Sequence, residues 1–129
     1  MSAEKLKVSK AAENEDFIPT IIDSIQDIKG KNIVKLDLRK LEDRPTDFFI
    51  VCEADSSTQV RAIANNIRVR LKEEIGEAPI RSEGLTNAKW ILVDYFDVII
   101  HVFYRETREY YDLEDLWGDA EFTNYENID

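Results

Sequence analysis

Apolar residues recur at helical spacing near the start of the sequence, every three or four positions along one face. Pro19 in the first turn and Gly30 after the last apolar position are typical of a helix start and stop, and Asp16 is a candidate cap. The pattern predicts an amphipathic helix that begins at Phe17. Its apolar residues are Ile18, Ile21, Ile22, Ile25 and Ile28.

The pattern then changes to that of two strands. Ile33 to Leu38 alternates between apolar and polar residues, which predicts a strand with one buried face. After the polar turn Lys40 to Thr46, the segment Asp47 to Glu53 is apolar almost throughout. A run of this kind predicts a central strand that is buried on both faces.

A second helix is predicted from Ser56 to Gly76. Ser56-Ser57-Thr58-Gln59 has the form of a capping box, with Ser56 as the cap and Gln59 three residues later. Basic residues on this helix form either a basic patch or its solvent face, and the acidic Glu73 and Glu74 that follow favour the solvent face. These basic residues are Arg61, Arg68, Arg70 and Lys72.

The clearest hairpin lies in the second half of the chain. After a short strand candidate, Pro79 to Glu83, the segments Trp90 to Asp94 and Val98 to Tyr104 are predicted strands around the connection Tyr95-Phe96-Asp97. A last helical stretch, Glu106 to Trp117, is predicted to break near Asp112. This order of elements predicts an α/β (α+β) fold, with a mixed sheet of about five strands and flanking helices.

Length and composition favour one domain. The 129 residues contain no repeat and no low-complexity block. We expect a flexible N-terminal segment at residues 1–16, the folded domain at 17–120 and a frayed acidic tail at 121–129. Without a signal-peptide core or a long apolar run, and with Cys52 as the single cysteine, the sequence predicts a cytoplasmic protein.

The charge is concentrated at the C-terminal end. The formal net charge is −10, and the last 25 residues hold two Arg against nine acidic residues. Such a surface repels phosphate backbones and attracts basic proteins, so we expect a protein partner and no specific nucleic-acid binding. The alternative is a solvated tail that only aids solubility.

Catalytic machinery is not predicted. A nucleotidyl transferase would place a glycine beside Ser56, where this chain has Asp55. It would also place two acids on one strand face, but Asp94 and Asp97 are three residues apart and so cannot share a face. His101 is the only histidine, it shares a strand face with Ile99, and it is expected to be a hydrogen-bonded sheet residue. The sequence has neither a cysteine pair nor a second histidine that would indicate a zinc site. We therefore expect no metal, cofactor or catalytic residue.

Aromatic residues interleave with acids late in the chain, which is typical of an interface with large anchors. Many of them can equally build the core of a small sheet domain. Phe103 and Trp117 are assigned to the core, while Trp90 and Tyr95, which lie beside the turn, are the better interface candidates.

Several short motifs, in this order and spacing, resemble the Iojap or ribosomal silencing factor family over Phe17 to Ala120. They are Thr46-Asp47-Phe48-Phe49-Ile50, Ser56-Ser57-Thr58-Gln59-Val60, Glu83-Gly84, Ala88-x-Trp90, Asp94-Tyr95-x-Asp97-Val98 with His101, and Tyr111-Asp112-Leu113-Glu114-x-Leu116-Trp117-Gly118-Asp119-Ala120. The resemblance implies a nucleotidyltransferase-like fold without a transferase active site.

The resemblance also implies a function. Members bind the large ribosomal subunit through its ribosomal protein L-fourteen, block joining of the small subunit and so repress translation; relatives also assist large-subunit assembly. The expected protein is therefore a non-enzymatic translation regulator. The alternatives are a nucleotide-binding protein or enzyme of the nucleotidyltransferase fold, and a dimeric scaffold in which the hairpin serves self-association.

The residues that correspond to the family's binding surface lie in the first strand and turn of the hairpin. We expect Trp90, Leu92 and Tyr95 to supply apolar contact, and Asp94 and Asp97 to meet basic side chains of the partner. Relatives carry a glycine where this chain has Phe96, and a phenylalanine disfavours the positive φ of a tight turn. Either the turn is of another type, or Phe96 projects from it as an added apolar contact.

Overall fold

The computed structural model describes residues 17–128. The predicted flexible segment 1–16, including the candidate cap Asp16, lies outside these residues. In chain order the elements are helix α1 over 17–27, β1 Lys31–Asp37, β2 Phe48–Ala54, α2 Ser57–Glu74, β3 Arg81–Glu83, β4 Trp90–Asp94, β5 Val98–Tyr104, α3 Arg105–Tyr111, α4 Leu113–Leu116 and β6 Glu121–Asn124. Within the described part of the chain, no helix has the length and apolarity that a membrane crossing requires.

The strands form one mixed sheet in the order β3-β4-β5-β2-β1-β6. Strands β2 and β5 pair in parallel, and all other neighbours pair antiparallel. The predicted mixed α+β fold is confirmed, and the predicted central strand is β2, whose seven residues are all buried. The two outer strands, β3 and β6, are short and polar, which protects the sheet edges from pairing with other chains.

The sixth strand corrects one prediction. Residues 121–124 were expected to lie in a frayed tail, but they pair with β1, with Thr123 opposite Lys35 and Phe122 opposite Leu36. The side chains of β6 are exposed, so the strand is held by backbone hydrogen bonds along the open edge of β1. A strand held in this way has no buried face and therefore leaves no apolar alternation in the sequence.

Helices α1 and α2 cover one face of the sheet. The predicted cap is confirmed, because Ser56 Oγ accepts a hydrogen bond of 3.1 Å from the backbone N–H of Gln59. The reciprocal half of the capping box is not formed. Gln59 Nε2 donates instead to the carbonyls of Ile28 at 2.9 Å and Lys29 at 3.2 Å, which ties the start of α2 to the end of α1.

The basic residues of α2 behave as a solvent face. Arg70 makes ion pairs with Asp23 and Asp27 of α1 and with Glu74 one turn later. Arg61 donates to the carbonyls of residues 85 and 86. These contacts use two of the four basic side chains within the fold, which argues against a basic patch made by all four.

Helices α3 and α4 lie on the other face of the sheet. Asp112 adopts a left-handed conformation with φ 47°, which ends α3 at the predicted break. The buried Arg108 of α3 donates to Glu53 of β2 at 3.0 Å, to Glu114 of α4 at 2.9 Å and to the carbonyl of Asn32 at 2.7 Å. One arginine therefore joins both helices to two strands of the sheet.

Candidate docking surface

Strand β4 carries the centre of the predicted site. Its residues alternate, so that Ile91 and Val93 are buried beneath α1 and α2 while Trp90, Leu92 and Asp94 face the other side and are half-buried. The predicted common face of these last three residues is confirmed. We call Trp90, Leu92 and Asp94 the β4 ledge.

Contacts with neighbouring residues fix the Trp90 side chain. Its indole Nε1–H donates to His101 Nδ1 at 3.0 Å, and its ring stacks on Phe103 with centroids 4.8 Å apart. Tyr111 of α3 packs against the same indole at 4.9 Å. The indole is therefore held in one orientation at the edge of the uncovered part of the sheet face.

His101 is buried beneath this ledge, as expected for a sheet residue. Because its Nδ1 accepts from Trp90, the hydrogen of the neutral imidazole is assigned to Nε2, and Nε2 has no hydrogen-bond partner among the described residues. Burial lowers the pKa of His101 to about 4. The imidazole is neutral at physiological pH and serves to orient Trp90.

Asp94 holds the turn that follows β4. Its Oδ1 accepts from the backbone N–H of Phe96 at 2.7 Å, and its Oδ2 accepts from Arg81 Nε at 3.2 Å. Both carboxylate oxygens therefore have partners within the fold. Asp94 therefore has a structural role that the sequence did not reveal, and its predicted contact with a basic partner would come in addition to these bonds.

The hairpin tip, Tyr95 to Asp97, is a γ-turn centred on Phe96. The N–H of Asp97 donates to the carbonyl of Tyr95 at 3.0 Å, and Phe96 has φ 75°. Positive φ is strained for a bulky residue, so Phe96 adopts the conformation that phenylalanine disfavours. The side chain projects into solvent with 69% of its surface exposed, as the second predicted alternative requires.

A third contact secures this strained turn from outside the hairpin. Thr46, which is buried just before β2, donates from Oγ1 to the Phe96 carbonyl at 2.7 Å. This role of Thr46 was not predicted from the sequence. Fifty positions separate the two residues, so local patterns carry no signal of their contact.

Tyr95 requires a correction. Only 7% of its surface is exposed, and its ring packs edge-on against Phe17 of α1 with centroids 6.1 Å apart. Burial raises the pKa of Tyr95 to about 12. Because the side-chain alternation of β4 continues one residue past Asp94, Tyr95 lies on the opposite side of the sheet from Trp90 and Leu92.

A close approach of two backbones positions the start of β4. Gly84, which follows β3, has φ 85°, and a Cβ at this position would collide with the carbonyl of Trp90. The turn from β3 into the loop therefore requires glycine. This requirement explains the glycine in the motif Glu83-Gly84.

Comparison with known proteins finds chains that are similar over most of this sequence. The model of the family described as "Ribosomal silencing factor during starvation" matches residues 11–129. A ribosomal silencing factor from Chromobacterium violaceum is 43% identical over 109 residues, 82% of this chain and 85% of the relative. The chain belongs to the ribosomal silencing factor family.

A second relative and a solved structure also match most of this family member. The ribosomal silencing factor of Halalkalibacterium halodurans is 35% identical over 115 residues, 89% of this chain and 97% of the relative. A crystal structure of a Chromobacterium violaceum protein aligns with a TM-score of 0.76 at 42% identity, covering 81% of this chain and 85% of that one.

Two other potentially reactive groups of this family member, those of Ser56 and Cys52, are occupied or inaccessible. The Ser56 hydroxyl accepts the α2 capping bond. Cys52 is fully buried, and burial raises the pKa of its thiol to about 12. Among residues 17–128, no three His, Cys, Asp or Glu side chains are placed to hold a metal ion.

Proposed function

We propose that this protein binds the large ribosomal subunit through ribosomal protein L-fourteen and thereby prevents the small subunit from joining. The observation that carries the proposal is the β4 ledge, where Trp90 and Leu92 lie half-buried on the sheet face that α3 and α4 cover only in part. We further propose that the protein acts in the cytoplasm and that the same contact can serve large-subunit assembly.

The chemistry of the ledge suits a protein partner. Trp90 is held rigidly by His101 and Phe103, so little conformational entropy is lost when it is covered. Phe96 adds an exposed aromatic ring at one end of the strand, and Asp97 adds a carboxylate beside it. Aromatic anchors with acidic neighbours suit a basic protein surface, whereas the net charge of −10 disfavours bare RNA.

The proposed mechanism is occlusion. A protein of this size that occupies the joining face of the large subunit keeps the small subunit away without any chemical step. The relevant quantity is then the binding free energy, and truncation of one buried anchor costs about 2 kcal/mol or more. A cost of that size lowers affinity by more than about tenfold.

Sedimentation tests the binding step. The purified protein is layered with large bacterial ribosomal subunits on a sucrose gradient, beside Leu92→Ser and the matched control Val69→Ser. Val69 is also a partly exposed aliphatic residue, but it lies on α2. We expect the wild type and Val69→Ser to migrate with the large subunit and Leu92→Ser to remain at the top.

Circular dichroism and urea unfolding establish that each variant is folded. Free migration of the wild type would contradict the proposed partner. Equal co-migration of Leu92→Ser and the wild type would contradict the assignment of the β4 ledge.

A further inference from the structure

Three large side chains on α3 and α4 are exposed, and one of them, Tyr111, packs against Trp90 of the β4 ledge. Tyr110 has 82% of its surface exposed, Tyr111 54% and Leu116 74%. Tyr110 and Tyr111 pack edge to face with centroids 5.0 Å apart, so they form one aromatic unit. Exposed clusters of this kind are typical of interaction sites, and we call these three residues the α3-α4 surface.

The charges around this surface are unbalanced. The two arginines of α3 are used within the fold, because Arg105 pairs with Asp55 at 3.1 Å and Arg108 pairs with Glu53 and Glu114. In residues 17–128, five nearby carboxylates take part in no ion pair. They are Glu106, Glu109, Asp112, Asp115 and Asp119.

A groove beside this surface already contains one cation that lies on an aromatic ring. Lys89 Nζ lies over the Tyr104 ring at 4.1 Å from its centroid. Both residues line a groove together with Glu106, Tyr110 and Tyr111. The groove therefore combines aromatic faces with the carboxylate of Glu106, and both features attract arginine and lysine side chains.

We propose that the α3-α4 surface docks a segment of a partner polypeptide rich in arginine and lysine. The cationic groups would lie on the Tyr110 and Tyr111 rings and pair with the surrounding carboxylates, while their aliphatic stems cover Leu116. RNA would meet the unpaired carboxylates and be repelled. The surface adjoins the β4 ledge through the contact of Tyr111 with Trp90, but the proposal does not depend on the partner of that ledge.

Fluorescence anisotropy with a labelled peptide of alternating arginine and glycine tests the proposal. We expect saturable binding that weakens as salt is raised, and no binding of the peptide in which glutamine replaces arginine. Substitution of Tyr110→Ala together with Leu116→Ala leaves the charge unchanged and should weaken binding at least about tenfold. The matched control, Ile80→Ala with Phe122→Ala, removes exposed apolar side chains elsewhere and should bind as the wild type does.

A charge-matched pair separates local attraction from net charge. Glu109→Gln with Asp115→Asn should weaken binding more than Glu42→Gln with Asp43→Asn, although both pairs remove two negative charges. Equal weakening by the two pairs, or an unchanged affinity in the Tyr110→Ala and Leu116→Ala double variant, would overturn the proposal. So would absence of peptide binding at low salt, or preferential binding of a uridine oligonucleotide over the peptide.

Discussion

The two faces of the sheet differ in what covers them. On one face, α1 and α2 fully bury large aliphatic residues such as Ile21, Ile63 and Ile100. On the other, α3 has seven residues and α4 has four, and the β4 residues Trp90 and Leu92 stay half-buried. Both faces are stabilised by apolar packing, and the second adds the buried Arg108 and several aromatic contacts.

This difference assigns separate roles to the faces. A face already covered by an 18-residue helix has little apolar surface left to lose on binding. The face with the β4 ledge retains apolar side chains near solvent and can gain from a partner that covers them. Function is therefore expected from the less completely covered face.

The largest expected effect is loss of the buried arginine. Arg108→Ala leaves Glu53 buried without its partner and should lower the free energy of unfolding by about 3–5 kcal/mol in urea titrations. The matched change Arg105→Ala breaks the exposed pair with Asp55 and should cost about 0–1 kcal/mol. Similar losses in the two variants would show that α3 is not attached to the sheet through Arg108.

The next effect concerns pH. The pKa of His101 is about 4 in the fold and near its usual value in the unfolded chain, so below neutrality the unfolded chain binds the extra proton first. Stability should therefore fall as the pH is lowered from about 6.5 to about 4, by roughly 3 kcal/mol for this group.

His101→Gln provides the reference for this effect, since it removes the titrating group while carboxylates elsewhere titrate in both proteins. The rings that contact His101, those of Phe49, Trp90 and Phe103, carry no charge. Urea unfolding at several pH values should show a steeper acid loss in the wild type. Parallel pH profiles for the two proteins would contradict a buried neutral imidazole.

A smaller effect is expected at the hairpin tip. Phe96→Gly relieves the strained φ of 75° and should raise the free energy of unfolding by up to about 1 kcal/mol, net of the entropy of glycine. Phe96→Ala removes the same side chain and keeps the strain, so it should not be stabilised. Both variants should bind large subunits more weakly than the wild type, because both lack the exposed ring.

Two outcomes would contradict the roles assigned to the hairpin tip. If Phe96→Gly kept full affinity in the sedimentation assay, the exposed ring of Phe96 would have no part in docking. If Phe96→Ala were stabilised as much as Phe96→Gly, the backbone at residue 96 would not be strained.

Much of the apolar face could be predicted from the sequence. The helical spacing from Ile18 to Ile28 and the continuous apolar run of β2 each reflect burial directly, so the elements follow from the pattern. The alternation of β4 likewise predicted which of its side chains face the ledge. These features are local, and local patterns record them.

The hairpin tip and β6 depend on contacts that no local pattern records. Thr46 holds the Phe96 backbone across fifty positions of sequence, and β6 pairs through its backbone while its side chains stay exposed. Tyr95 is a different case. Extending the β4 alternation by one residue would have predicted its burial, and the error came from treating it as part of an exposed loop.

Subunit joining is the most direct test of the central claim, which is that the β4 ledge blocks the joining face of the large subunit. Light scattering after mixing small and large bacterial subunits measures joining in real time. We predict that the wild type and Val69→Ser suppress the rise in scattering and that Leu92→Ser does not. A normal rise with the wild type present, or equal suppression by Leu92→Ser, would contradict the account.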